Sequence, residues 1–416
     1  MNATINTNTR IDYLDAVRAF ALLLGILFHA SLSFTHIFIG WAVMDVSTSP
    51  IVSTLAFISH SFRLELFFLL AGFFSHMTIH RNGTGSFLKS RFVRIAIPFV
   101  VGWFLIRPLM VASWVMGGAS MRGEVDIAAG FAEGFSSLRA LPDNLLVGTH
   151  LWFLYYLLLA TATILLAKGI LLLAPKLKSF LAEQLDKVLS RISKWSSAAE
   201  AIAIPTAVGL YFMSSWGMDT PDKSLIPHLP TYLIYTGCFG LGWLIHRQPE
   251  RLNELSKLSV VRFINLLGSI ALTLYLVGFE SDFGSPYHTQ IHMTFAYAYS
   301  VMMWSLVFTT IGLFRLAIRR ESKTIRYVAD SSYWLYLIHL PVVIWLQIAV
   351  AELSWHWAIK LPTITTLAIG ISLLLYDLLI RPSFVGKILN GRKKPSQIIS
   401  LLKGSKAPKT QSLATS

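Results

Sequence analysis

Arg18 and His29 are the first residues whose types and spacing point to chemistry. Both lie in one apolar run, DAVRAFALLLGILFHASLSF, residues 15–34. A charged group at membrane depth is costly, so each one inside an apolar run is a functional candidate by default. Eleven residues is close to three helical turns. The two side chains therefore share a helix face, about 16 Å apart along the axis. Asp15, one turn before Arg18, stands where it can orient the guanidinium. Taken singly, each residue also has a bland reading. Arg18 suits a snorkelling side chain at the interface, and His29 suits a hydrogen-bonded packing residue between helices. The shared face at two depths makes the pair more informative than either member.

Four further stretches carry polar groups in apolar surroundings. HSFRLELFFLLAGFFSH, residues 60–76, places Arg63 one turn from His60 and rotates Glu65 away. The small pair Ala71-Gly72 favours close helix contact. SRFVRIAIPF, residues 90–99, puts Arg91 and Arg94 on one face. Two guanidiniums so placed suit a polyanion such as a pyrophosphate, because each offers a fixed fork of donors; ordinary interfacial anchoring also uses them. Pro98 is expected to loosen that helix and open a small cavity. THLWFLYYLLL, residues 149–159, places His150 and Trp152 where an aromatic belt is expected. SSYWLYLIHLPVVIW, residues 331–345, holds His339 near mid-membrane, followed by Pro341, which predicts a kink. Two histidines at similar depth, His29 and His339, predict a polar chamber. Asp377 is expected to pair with Arg381. There is no Walker loop, no GxGxxG opening a helix and no convincing metal spacing; His76 and His80 are four apart without an acidic or cysteine partner nearby.

These residues must be held by membrane-spanning helices. The chain is 54% hydrophobic and 13% charged, against about 25% charged for a soluble domain. The fold class is therefore all-α, a polytopic helical membrane protein. Ten candidate spans lie near 15–37, 52–78, 93–115, 148–172, 200–215, 229–246, 261–279, 290–314, 327–351 and 361–381. With both termini cytoplasmic, 29 of the 35 Lys and Arg residues fall in cytoplasmic segments. Only Arg122, Arg139, Lys223 and Lys360 fall outside, and Arg63 and Arg107 lie within spans. That asymmetry is what the positive-inside rule requires, and one missed or extra crossing would mix the two sets. The net charge of +14 is accounted for by these loops, and no nucleic-acid partner is expected. The single Cys238 excludes an internal disulfide. The first run is too long and too polar for a cleaved signal peptide and is expected to be a retained helix. The outer loops lean acidic, and the longest is 116–147. Residues 1–390 are expected to form the membrane domain, and 391–416 a basic, disordered tail suited to anionic lipid heads. No internal repeat of the transporter kind is visible.

The Arg18–His29 spacing resembles the R-x10-H signature of the acyltransferase-3 family of integral membrane acyltransferases. HSFRLELFFLLAGFFS (60–75), RFVRIAIP (91–98), HLWFLYYL (150–157) and SYWLYLIHLP (332–341) resemble that family in order and spacing. The resemblance covers roughly residues 11–390. Within the family, the combination is similar to the branch associated with succinylation of osmoregulated periplasmic glucans. Two positions depart from the pattern: Ala71-Gly72 stands where many members have Ser-Gly, and His339-Leu340-Pro341 where the glucan branch often has His-His-Pro.

The resemblance implies a multi-pass protein of the bacterial inner membrane. It would transfer an acyl group from cytoplasmic acyl-CoA, as succinyl-CoA or acetyl-CoA, to hydroxyls of a periplasmic glucan or another surface glycan. The donor is a substrate, and no permanently bound cofactor or metal is implied. Arg18, Arg91 and Arg94 would form a basic rim for the CoA phosphates. His29 would be the catalytic group, as general base or as a transient acyl carrier. Arg63 and His339 would support it, and Arg63 or Arg107 would hold a succinyl carboxylate. A transporter that moves a glycan or anion without chemistry uses intramembrane Arg and His equally well.

Overall fold

The computed structural model describes residues 12–139, 150–222 and 224–404, and every regular element among them is helical. The elements are α1 (Asp12–Ser31), α2 (Pro50–His60), α3 (Arg63–Arg91), α4 (Ile97–Ser120) and α5 (Ile127–Ser136). Next come α6 (Trp152–Leu172), α7 (Pro175–Ile192), α8 (Ala198–Tyr211), α9 (Leu229–Arg247), α10 (Glu250–Leu255) and α11 (Val260–Leu276). The last are α12 (His288–Ala317), α13 (Lys323–Val350), α14 (Trp357–Leu375), α15 (Phe384–Asn390) and α16 (Gln397–Gly404). Lys223, the first residues of the fourth predicted span and the tail from 405 lie outside the described residues.

Each of the ten predicted spans contains a helix. Seven helical stretches are long and apolar enough to cross a membrane. One of them, Pro50–Ser120, is 71 residues long and contains two predicted spans. It is not one rod. The second predicted span breaks at Ser61-Phe62 into α2 and α3, so His60 and Arg63 do not share one continuous helix. Gly83 then adopts φ +77°. Arg91 Nη2 reaches Ser75 Oγ at 2.5 Å. Sixteen residues of straight helix would span about 24 Å, beyond the reach of an arginine, so the chain doubles back at Gly83. A π-helical turn, Phe92–Ala96, follows. Pro98 has no N–H for the carbonyl of Arg94, and the ladder shifts so that Ile97 N–H bonds to Phe92 O. α8 is apolar but has only 14 residues, and α9 is diluted by Thr, Tyr and Gly; neither is among the seven.

α3 packs on α9 at very close range. A Cβ on Gly72 would lie 1.8 Å from Phe239 O, and one on Gly242 would lie 1.9 Å from Leu69 O. Each glycine thus admits the other helix's backbone, the contact that Ala71-Gly72 predicted. α1 packs against α13, α14 and α3, which brings the first helix beside the ninth predicted span. α13 continues through Pro341 to Val350 as one helix. The loop 116–147, expected on the outer side, contains α5, which lies back on α4.

Lys360, expected in an outer loop, is fully buried and pairs with buried Asp45 at 2.7 Å. Its ammonium also donates to Ala351 O. Asp377 and Arg381 pair at 3.4 Å as expected. Of the tail read as disordered, residues 391–404 are in place. Lys394 pairs with Asp330. Asp377 accepts from Gln397 N at 3.1 Å, Ile398 N at 3.0 Å and Ser396 Oγ at 2.6 Å, capping α16.

Candidate active site

Two cavities lie back to back along α1. The smaller, about 580 Å³, opens around Arg18 in its first half and is also lined by Arg81, Arg91, Arg94, Tyr333 and Asn390. The larger, about 1400 Å³, surrounds His29 and is also lined by His60, Arg63, His150, His339 and Trp41. Leu22, Leu64, Phe67, Phe153 and Tyr336 line both. One layer of side chains separates a basic pocket from a histidine chamber.

The three arginines predicted for the basic rim are together in the smaller cavity. Arg18 pairs with Asp15 at 3.2 Å and reaches Ala329 O at 3.4 Å. Arg91 is held by Ser75 and lies over the Phe87 ring, 4.9 Å from its centroid. Arg94 packs beneath Gly391. That residue closes α15 at φ +80°, and a Cβ there would sit 2.0 Å from Arg94 Nη2. The left-handed conformation and the missing side chain both favour glycine at this position. Arg81, on the same cavity wall, was not singled out from the sequence.

The predicted histidine pair also meets. The His29 and His339 ring centroids are 5.3 Å apart, and His150 stands 5.6 Å from His339. Trp41 stacks on His29 at 5.6 Å. His339 Nδ1 donates to Tyr336 O at 2.8 Å and Leu335 O at 3.0 Å. Carbonyls only accept, so His339 carries its proton on Nδ1 and its Nε2 holds a lone pair. His29 Nδ1 has no hydrogen-bond partner among the described residues. Its backbone is fixed instead. Gln347 on α13 donates to His29 O at 3.0 Å and Ala30 O at 3.1 Å, carbonyls in the last turn of α1. The same amide accepts from Trp41 Nε1 at 2.9 Å.

Arg63 brings a cation into this chamber. Its Cζ lies 3.7 Å from the Phe28 ring centroid, and Nη1 reaches Gly25 O at 3.4 Å. His60 stacks on the same Phe28 at 5.2 Å. Phe28 therefore reunites the two residues that the helix break separates. Arg107, weighed as a carboxylate holder, lies over Trp103 at 4.8 Å and lines neither cavity. Glu65 is buried and lines neither cavity, in line with its predicted rotation away. Among the described residues no group of three or more His, Cys, Asp or Glu side chains could hold a metal ion. The sequence reading placed His150 in an interfacial belt; its proximity to His339 comes from a contact across 187 residues, which no local pattern reports.

The arrangement suits transfer between two reactants arriving from opposite sides. Guanidiniums in one cavity match an anionic carrier. Imidazoles with free nitrogens and a nearby cation in the other match proton transfer and oxyanion stabilisation.

Residues 11–377 match the family model described as an acyltransferase domain. Glucans biosynthesis protein C of Escherichia coli (strain K12) is 21% identical over 384 residues, covering 91% of this chain and 94% of the relative. The Salmonella gallinarum protein of the same name is 23% identical over 403 residues, covering 92% and 96%. No solved structure matches the chain.

Proposed function

The chain belongs to the acyltransferase-3 family of membrane acyltransferases, and on that premise we propose that it transfers an acyl group, succinyl in the first instance, from cytoplasmic acyl-CoA to hydroxyls of a periplasmic glucan. The observation that carries this reading is the single wall between the basic cavity and the histidine chamber. The relatives named glucans biosynthesis protein C support a glucan acceptor. Ten crossings with both termini cytoplasmic, in the inner membrane, would turn the basic cavity toward the CoA pool and the larger chamber toward the periplasm.

Arg18, Arg91 and Arg94 bind the CoA phosphates, and the thioester reaches the wall near Phe67 and Tyr336. His29 removes the proton from the acceptor hydroxyl as its oxygen attacks the thioester carbonyl. The carbonyl oxygen becomes negative beside Arg63, which stabilises it. The carbon–sulfur bond breaks, and the proton on His29 passes to the departing CoA sulfur. The products are an ester and free CoA, and His29 returns to its starting state. The lone pair on His339 Nε2 receives a hydroxyl proton of the acceptor in a hydrogen bond and orients it. Arg63 also serves a succinyl carboxylate.

The test has two measurements. Purified protein supplied with succinyl-CoA and glucan is assayed for CoA thiol, and glucans from a deletion strain are weighed by mass spectrometry. Thiol release with a succinyl mass increment that vanishes in the deletion strain is expected. An acetyl increment would change the donor; glycan movement without thiol release would leave transport as the activity.

A further inference from the structure

Pro341 lies inside α13 and has no N–H to give to the carbonyl of Leu337, four residues earlier. In a spanning helix such a carbonyl is satisfied by another group. His150 supplies it: His150 Nε2 lies 3.0 Å from Leu337 O. The carbonyl only accepts, so the proton of His150 is on Nε2. Its Nδ1 is then an unprotonated acceptor, and it is buried without a hydrogen-bond partner among the described residues. The tie runs in both directions, because the Tyr336 hydroxyl donates to His150 O at 2.8 Å. Two bonds thus fasten the residue at the head of α6 to one turn of α13. The same turn sets His339, whose Nδ1 donates to the carbonyls of Leu335 and Tyr336.

We propose that His150 is a positioning residue: the Leu337 carbonyl freed by Pro341 locks it to α13, and this lock sets where His339 presents its bare Nε2. Pro341 acts here by what it lacks. An amide at position 341 would compete for Leu337 O and release His150. The two imidazoles cannot donate to each other, since each spends its proton on a backbone carbonyl. Both remaining nitrogens, His150 Nδ1 and His339 Nε2, therefore keep their lone pairs. The catalytic consequence rests on the transferase reading above; the tautomer consequence does not.

The experiment uses the full chain in nanodiscs, labelled with 15N-histidine. Signals of His150 and His339 are assigned by their loss in His150→Gln and His339→Gln. His150 should be protonated on Nε2 and His339 on Nδ1, and Pro341→Ala should give His150 a mixture of tautomers. A His150 protonated on Nδ1 in the unsubstituted protein would overturn the lock, whatever the activity. In the transferase assay, His150→Ala should lower kcat by roughly 10–100-fold, the scale of a misplaced reacting group. The donor KM should stay near its starting value, and the pH profile of kcat should move. His150→Gln keeps an N–H of similar reach and should recover most of the rate; Pro341→Ala should fall between. Should His150→Ala not fold, His150→Gln and Pro341→Ala still decide. A His150→Ala enzyme with full kcat and an unmoved pH profile, or a His150→Gln enzyme no better than it, defeats the positioning role. Absence of any transfer by the unsubstituted protein would sink the transferase reading alone, and the tautomers then decide the lock.

Discussion

The His29 and His339 rings stand 5.3 Å apart although they come from opposite ends of the chain. The approach follows from α1 packing along α13, with Gln347 bonded to the carbonyls at the end of α1. His29 has Trp41 stacked at 5.6 Å, yet its Nδ1 has no hydrogen-bond partner among the described residues. His339 has one nitrogen committed to backbone carbonyls. A ring held by stacking, with Nδ1 left unpaired, suits a proton carrier; a ring with one nitrogen committed suits an orienting acceptor.

His29→Ala is accordingly expected to abolish transfer. Loss of a general base alone lowers the rate by roughly 10²–10⁴-fold. His29→Gln keeps a polar side chain of similar reach without the base and should fail as well. Acyl-CoA binding should persist in both, because the basic cavity lies on the far side of the wall. Glucan acylation in a deletion strain at matched membrane expression is the measurement. Unchanged acylation by His29→Ala would remove this residue from the chemistry.

Arg18→Gln, Arg91→Gln and Arg94→Gln should each weaken acyl-CoA binding. A hydrogen bond to a charged group contributes about 1.5–3 kcal/mol, and these three line one cavity. Ser75→Ala should give a smaller loss, because it removes only the group that holds Arg91. Titration calorimetry with CoA would report each value. Three variants binding as tightly as the parent would reduce the cluster to interfacial anchoring.

Topology gives a third expectation. Reporter fusions after Gly130, Thr220 and Ser285 should all read as periplasmic, since these loops hold few of the basic residues. A cytoplasmic signal from any of them breaks the ten-crossing arrangement. α8 makes the Thr220 fusion the sharpest, because with 14 residues it is shorter than the roughly 20 that a bilayer needs.

The sequence made legible what helical periodicity and charge can encode. The segments around Arg18, His29, Arg63, Arg91, Arg94 and His339 are helical, and these six side chains converge on two adjoining cavities. Contacts between distant segments were not legible. His150 looked interfacial because its partner, Leu337, lies far along the chain. Trp41 and Gln347 carry no charge and fit an apolar span without comment. Asp45 and Lys360 looked like loop residues because each is expensive to bury alone and tolerable only as a pair. The break at Ser61-Phe62 has no glycine or proline to announce it.

Gln347 offers the sharpest test of how the site is built, because its amide has two ends with different duties. The NH2 end serves His29 O and Ala30 O, and the oxygen end takes Trp41 Nε1–H. Gln347→Leu leaves those carbonyls and the indole N–H without this partner, each buried unpaired group costing about 1–3 kcal/mol. Thermal stability and transfer should both fall. Gln347→Glu keeps the size and can still accept from Trp41. As a carboxylate, its other oxygen would face two carbonyl oxygens and repel them, so transfer should fall at least as far as with Leu. His29 would then lose its place even though nothing on its ring has changed. Donor binding should be spared, because Gln347 does not line the basic cavity. The measurement is CoA thiol release at saturating donor, beside CoA affinity by calorimetry. Full turnover in Gln347→Glu would show that Trp41 stacking, and not the amide, holds His29.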